Sequence, residues 1–176
     1  MLKDTARNLD DLLRRRLPII IGRLAKDFFL NHFRISGFVS NGLHPWQPAK
    51  RQSSDSAAAQ YGPLLSSRNH LYSSVSYTPS PYQVKIQNTL PYAAIHNQGG
   101  TIHPTVTPAM RAYAWRQHYL AGRKGPKADK WKALALTPKK HLDIHIPRRQ
   151  FIGSSPELNQ AVSQRIKQEL RATLKK

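Results

Sequence analysis

The chain has 176 residues, enough for one domain with a substantial core. It contains no cysteine, which excludes a disulfide framework and a thiolate metal site, and its apolar run Leu17–Ile21 is interrupted by Pro18 and far too short to span a bilayer. The formal net charge of +19 implies polyanionic surroundings, either nucleic acid or strongly acidic protein surfaces.

No signal peptide is expected at the N-terminus, because Asp4, Asp10 and Asp11 precede the basic cluster and no long apolar core follows. Residues 4–16 read as an amphipathic helix with Leu9, Leu12 and Leu13 on one side and Arg14-Arg15-Arg16 at its end, an order that suits the helix dipole. Leu17-Pro18 marks a predicted break, with Pro18 opening a second helix over about 18–33. Ile20, Ile21, Leu24, Phe28 and either Phe29 or Phe33 make its predicted apolar stripe, of which Ile21, Leu24 and Phe28 share a face at spacings of three and four. Residues 36–63 are rich in Gly, Pro, Ser and Asn and read as an exposed loop, within which Trp46 is expected to pack onto the core and Ala57-Ala58-Ala59 to form one helical turn. Leu64 to Leu71 leads into an alternating run to Tyr77, Thr78-Pro79-Ser80-Pro81 reads as a turn, and Tyr82 to Asn88 alternates again, so a hairpin is predicted with its apolar face toward the N-terminal helices.

Pro91 then ends the strand, since it has no N–H to donate. Tyr92 to His96 is short and mostly apolar and reads as a packed turn. Asn97-Gln98-Gly99-Gly100 is a tight connection whose glycines allow positive φ, and Thr101-Ile102-His103 resumes β character before Pro104. Thr107 caps and Pro108 opens a helix to about Leu120. Ala121 to Lys127 is a basic, glycine-rich breaker, Lys130 to Leu136 a short segment, and His141 to Pro147 a third strand. Ser154 or Ser155 caps a terminal helix with Pro156 and Glu157 in its first turn, and Leu158, Val162, Ile166 and Leu170 form its apolar stripe. The predicted class is α+β: a small, mainly antiparallel sheet packed against N-terminal helices, with a C-terminal amphipathic helix. One domain is expected over 1–176, with the exposed loop at 36–63 and a basic excursion at 121–140.

The segment Tyr92-Ala93-Ala94-Ile95-His96-Asn97-Gln98-Gly99-Gly100 resembles the Tyr-Ala-x-Ile-His-x-x-Gly-Gly signature of phage virion morphogenesis proteins, the tail-completion proteins of contractile-tailed, Mu-like phages. Other pieces follow in the same order: Gly37-Phe38 with Trp46-Gln47-Pro48, then Leu64-Leu65 through Leu71 to Val75, then Ile146-Pro147-Arg148-Arg149-Gln150-Phe151-Ile152-Gly153. Ser66-Ser67-Arg68-Asn69 lacks the family's Thr-Gly, and Arg149-Gln150 replaces its Arg-Pro. The resemblance covers roughly residues 10–170. It implies a structural protein that completes the tail or neck of a phage or prophage particle at the head–tail junction, located in the virion and assembled in the host bacterial cytoplasm. It further implies association with itself, as a ring, and with tail-tube or connector proteins. Tyr92, Ala93, Ile95, His96, Gly99 and Gly100 carry the family motif, and the Asn97–His103 turn and the 36–63 loop are the expected interface parts.

The chemistry-bearing residues point away from an enzyme. His141 and His145 lie on a predicted strand, where i and i+4 are separated by roughly 13 Å, too far for one ion. No Asp or Glu lies between Asp55 and Asp129, so the central motif has no local carboxylate for acid–base work, and neither a phosphate loop nor a nucleophile elbow is present. No metal site and no cofactor are expected, and no membrane partner. The stretch 111–149 holds eleven Lys/Arg and two Asp, interleaved with Trp115, Tyr119 and Trp131. Arg111, Arg116, Arg123, Lys124, Lys127 and Lys130 are therefore candidates for polyanion contact. The alternative function is a sequence-independent nucleic-acid-binding protein touching phosphates; a nuclease with an unrecognised site is the rival from the enzyme class.

Overall fold

The computed structural model describes residues 2–53 and 57–175, so residues 54–56 of the predicted loop at 36–63 lie outside the described part. The fold is α+β. The chain divides into two units: one runs up to Gly99 and resumes at Pro147, and the other is Gly100–Ile146.

The first unit begins with helix α1, Leu2–Asp11, a π-helical turn over Leu12–Arg16, and helix α2, Leu17–Ile35. The predicted break at Leu17-Pro18 is absent. The backbone stays helical at Asp11, Arg16 and Leu17, and the Leu17 N–H reaches back to the Leu12 carbonyl, five residues away. That wider turn accommodates Pro18, which has no N–H to give and whose ring would collide with a carbonyl in a regular α-helix. The most buried line on α2 runs through Ile21, Ala25, Phe29, His32 and Phe33, while Leu24 and Phe28 are half-buried. Ile21, Phe29 and Phe33 of the predicted stripe are thus buried, whereas Ile20, Leu24 and Phe28 are only half-buried, and Ala25 and His32 join the buried line on the side where the hairpin described below presses on Gly22.

Ser36, in the left-handed region at φ 50°, ends α2. The segment read as an exposed loop is more ordered than expected. It holds strands β1, Gly37–Val39, and β2, Leu43–Pro45, paired antiparallel, and two 3-10 turns, Lys50–Ser53 and Ala57–Gln60. Phe38, Trp46 and Ala49 are buried, so Trp46 packs inward as expected. Arg51 organises the rest by donating to the carbonyls of Gly62 at 2.6 Å and Leu65 at 2.8 Å.

A short helix α3, His70–Ser73, precedes the hairpin of β3, Val75–Ser80, and β4, Gln83–Asn88. Thr78 to Ser80 belong to β3, paired with Lys85, Val84 and Gln83, so the turn is Pro81-Tyr82 rather than the longer Pro-rich stretch. A two-residue turn needs positive φ, and Tyr82 supplies it at 62°. The hairpin lies on α2 as predicted: a Cβ added at Gly22 would sit 2.2 Å from the Tyr77 ring. Phe33, Trp46, Leu71, Val75, Ala93 and Phe151 form one core cluster, and Ala25, Phe29 and Phe38 a second, with Ile86 and Ile152 packed against both.

Helix α4, Ala93–Gln98, follows; helix α7, Pro156–Leu174, closes the chain. Ser155 is the cap of α7: its hydroxyl accepts from the Leu158 N–H at 3.2 Å and donates to Glu157 at 2.9 Å. The other Glu157 oxygen accepts from the Gly42 N–H at 2.9 Å, tying the β1–β2 turn to the helix entrance. That backbone bond first, and the Ser155 hydroxyl after it, hold the Glu157 carboxyl below its usual range. Leu158 packs on the Ala25–Phe29–Phe38 cluster, and Val162 and Ile166 line an apolar groove with Leu13, Leu17 and Ile21. The terminal stripe therefore packs within its own unit.

The second unit contains β5, Gly100–Ile102, helices α5, Pro108–Leu120, and α6, Pro126–Ala135, and β6, Ile144–Ile146. Thr107 caps α5 as predicted, its hydroxyl accepting from the Met110 N–H at 3.1 Å. The third strand is shorter than the predicted 141–147 and pairs with β5, continued by a single bridge between Thr105 and His141. Among the described residues the strands thus form three separate antiparallel pairs rather than one sheet.

Candidate assembly site

Within the motif Tyr92–Gly100, Ala93–Gln98 is helical where a packed turn running into a tight connection was predicted, and Gly100 opens β5. The β3–β4 ladder already ends at Asn88, ahead of Pro91; Tyr92, at φ −93°, precedes α4 without a side-chain cap, and the Gly99 N–H closes the helix by donating to the Ile95 carbonyl at 2.9 Å. Short apolar runs of this length leave helix and turn undecided by local pattern, and here packing decides: Ala93 is only 5% exposed, inserted beside Phe33 and Phe151.

Helix α4 holds the segment Pro147–Gly153. The His96 carbonyl accepts from the Arg149 N–H at 2.8 Å. The Asn97 side chain acts as a substitute backbone: its oxygen accepts from the N–H groups of Phe151 at 2.8 Å and Ile152 at 2.9 Å, and its amide donates to the Ile152 carbonyl at 3.0 Å. Gly99 sits at φ 73°, and a Cβ there would lie 2.7 Å from the Arg148 backbone nitrogen. Only glycine satisfies both the backbone angle and the close approach.

The held segment in turn organises the 46–48 stretch. Arg149, 7% exposed, donates from Nε to the Gln47 carbonyl at 2.8 Å and from its terminal nitrogen to the Pro48 carbonyl at 3.1 Å. The Trp46 indole donates to the Gln150 carbonyl at 2.8 Å. His32, fully buried, is placed between the Phe151 carbonyl, 3.0 Å from Nδ1, and the Val39 N–H, 3.3 Å from Nε2. A carbonyl accepts and an N–H donates, so His32 is neutral with its proton on Nδ1. Burial lowers its pKa, outweighing the Phe151 carbonyl. His96 is also lowered, by burial and then by the charge of Arg149, and its Nδ1 is buried without a hydrogen-bond partner among the described residues. Burial, followed by the charge of Arg51, lowers Arg149 from the usual guanidinium range.

Of the motif residues, Ala93 is interior, Ile95, His96, Gly99 and Gly100 are half-buried, and Tyr92 is exposed with its ring edge against His96 at 6.0 Å. The motif is foremost an internal fastener, with Tyr92 as its outward edge. The contributions of Asn97, His32 and Arg149 were not anticipated. For His32 the sequence signal is a polar residue inside the largely apolar run Phe28-Phe29-Leu30-Asn31-His32-Phe33; Asn97 and Arg149 lie among polar neighbours and carry no such signal.

The six candidate polyanion contacts all lie in the second unit. Arg111 is half-buried and donates to the Ala135 carbonyl at 2.8 Å, capping the end of α6. Arg116, Arg123, Lys124, Lys127 and Lys130 are exposed. Arg123 lies 5.3 Å over the Tyr119 ring, which stacks on Trp115 with centroids 6.0 Å apart. The interior of the α5–α6 hairpin is made of Ala114, Ala128 and Ala135, with His118 Nδ1 donating to the Ala128 carbonyl at 2.9 Å. Tyr113, Tyr119, Leu120 and Leu136 remain 54% to 70% exposed. Among the described residues no three His, Cys, Asp or Glu side chains gather as a metal site would need, and no helix is long and apolar enough to cross a membrane.

No curated protein and no solved structure matches the chain. The profile of the phage virion morphogenesis family matches residues 40–171, which include α4, the Pro147–Gly153 segment it holds, the Trp46–Pro48 stretch fastened to that segment, and most of α7. The chain belongs to the phage virion morphogenesis family.

Proposed function

We propose that this protein is a structural component that completes the tail or neck of a phage or prophage particle at the head–tail junction, acting as a closed oligomeric ring bound to tail-tube or connector proteins. The observation that carries this reading is the family match over residues 40–171. A ring built from one kind of subunit uses a heterologous interface, in which two different patches meet. Exposed apolar side chains support such patches: Leu43 and Tyr92 in the first unit, Tyr113 and Leu120 in the second. The role is structural rather than catalytic, and assembly takes place in the host cytoplasm before incorporation into the virion.

Size-exclusion chromatography with light scattering, at low and high salt, tests the ring. A closed oligomer of fixed stoichiometry is expected, and a monomer at every concentration overturns it. Electron microscopy of particles carrying a labelled copy tests the location: label at the head-proximal end of the tail is expected, and label confined to the baseplate or capsid overturns it.

A further inference from the structure

We propose that the turn of the α5–α6 hairpin is a phosphate-contacting surface for duplex DNA, read through Arg123, Lys124 and Lys127 without regard to base sequence. This surface goes beyond the morphogenesis role and does not depend on the ring, since it stands on charge and geometry within the second unit alone.

Three observations carry it. The first is uncompensated charge. Residues 100–146 contain nine Lys/Arg and only two acidic residues, Asp129 and Asp143. Asp143 is occupied by His103 at 2.7 Å and Lys139 at 3.9 Å, and Asp129 lies exposed in the first turn of α6. Among the described residues, no carboxylate lies within ion-pair distance of Arg116, Arg123, Lys124, Lys127 or Lys130. Exposed like charges this close in the chain repel, and a bound polyanion relieves that repulsion more fully than screening by salt does.

The second is concentration in space. Arg123 and Lys124 occupy the connection between α5 and α6, and Lys127 sits in the first turn of α6, so three cations fall within five residues at one end of the hairpin. All three are exposed. Gly122 at φ 84°, Arg123 at φ 65° and Gly125 at φ 94° shape the connection, and nothing lies within 4 Å of a Cβ built on either glycine. The backbone there is open to approach.

The third is the ladder Trp115–Tyr119–Arg123, at successive steps of four residues. Stacking on Tyr119 orients the Arg123 guanidinium, which reduces the rotamer freedom given up when it meets a phosphate. It also decides between modes of nucleic-acid binding. Tyr119 is engaged by Trp115 and Arg123, so it serves to position Arg123 rather than as a free platform for an unpaired base, and the surface suits the backbone of a duplex. An acidic protein surface is the competing partner. The Lys-rich turn favours DNA, because lysine is depleted in protein–protein interfaces whereas phosphate contact uses it freely.

The test uses the full chain and a short fluorescent duplex of mixed sequence, titrated across a range of salt. Binding should be insensitive to base sequence and should fall steeply with salt. The triple variant Arg123→Gln, Lys124→Gln, Lys127→Gln should keep its melting curve and lower the log–log salt slope by about 0.9 for each phosphate it no longer neutralises, up to about 2.7 in all. A control with the same charge change in the first unit, Lys85→Gln, Lys167→Gln, Arg171→Gln, should lower the slope less. Tyr119→Leu, which leaves the charge intact, should weaken binding through Arg123. An unchanged slope in the triple variant overturns the proposal, as does an equal effect in the control. Tighter binding to a single strand than to the duplex overturns the backbone mode, and equally tight binding to polyglutamate at the same salt assigns the surface to an acidic protein instead.

Discussion

The two units solve the packing problem in opposite ways. The first buries large rings, with Phe33 and Phe151 at 1% exposure, and satisfies the backbone around them with Asn97, His32 and Arg149. The second has an interior of three alanines and one histidine, and leaves Tyr113, Tyr119, Leu120 and Leu136 largely in solvent. Apolar burial contributes about 25 cal/mol per Å² removed from water, so the first unit carries most of the hydrophobic stabilisation and the second carries surface available for contact. The family motif thus secures the fold with Tyr92 as its exposed edge, while Tyr113, Tyr119, Leu120, Leu136 and the cationic turn of the second unit lie open outside the motif.

This contrast is most exposed to a test on the large rings. Phe33→Ala or Phe151→Ala should destabilise the protein by about 3–5 kcal/mol through cavity formation, read by denaturant unfolding. A loss as small as that of an exposed residue would show that the first unit is not the stabilising one. Next in size is Gly99→Val, where strain at φ 73° and collision with the Arg148 backbone, 2.7 Å from the new Cβ, should together cost about 2–5 kcal/mol. A variant that melts like the parent would mean that α4 and the 147–153 segment can separate freely. Asn97→Ala should cost about 1–3 kcal/mol by leaving the Phe151 and Ile152 N–H groups without their acceptor, and amide exchange at those two residues should accelerate.

Acidity probes the first unit in a different way. His32 and His96 both have pKa values lowered from 6.5 in the folded protein, so the unfolded chain binds more protons in the window just below that value. Stability is therefore fully present above the ordinary histidine pKa and falls as pH drops below it toward the lowered folded-state values. Denaturant unfolding across that window checks it, and a rise in stability on acidification would contradict the neutral, bridging His32. The smallest effect on stability is expected at Leu120, 70% exposed: Leu120→Ala should change it by within about 0.5 kcal/mol. If Leu120 serves assembly, light scattering should show a weakened oligomer while melting stays constant.

Features whose causes are local were legible in the order of the amino acids. The caps at Thr107 and Ser155, the β3–β4 pair, the stripe of α7 and the α+β class follow from periodicity and from residues that act within four positions of themselves. The family resemblance of Tyr92–Gly100 was legible for the same reason, being a contiguous pattern. Other features depend on the folded chain. The helical form of Ala93–Gln98 rests on Phe33 and Phe151, and the continuity of the first helices through Pro18 rests on a wide turn that no propensity signals. The roles of His32, Trp46 and Arg149 need partners more than one hundred residues away, Phe151, Gln150 and Gln47. A side chain's hydrogen-bonding capacity is written in the sequence; the backbone group that answers it is chosen only when the chain folds and brings that group within about 3 Å.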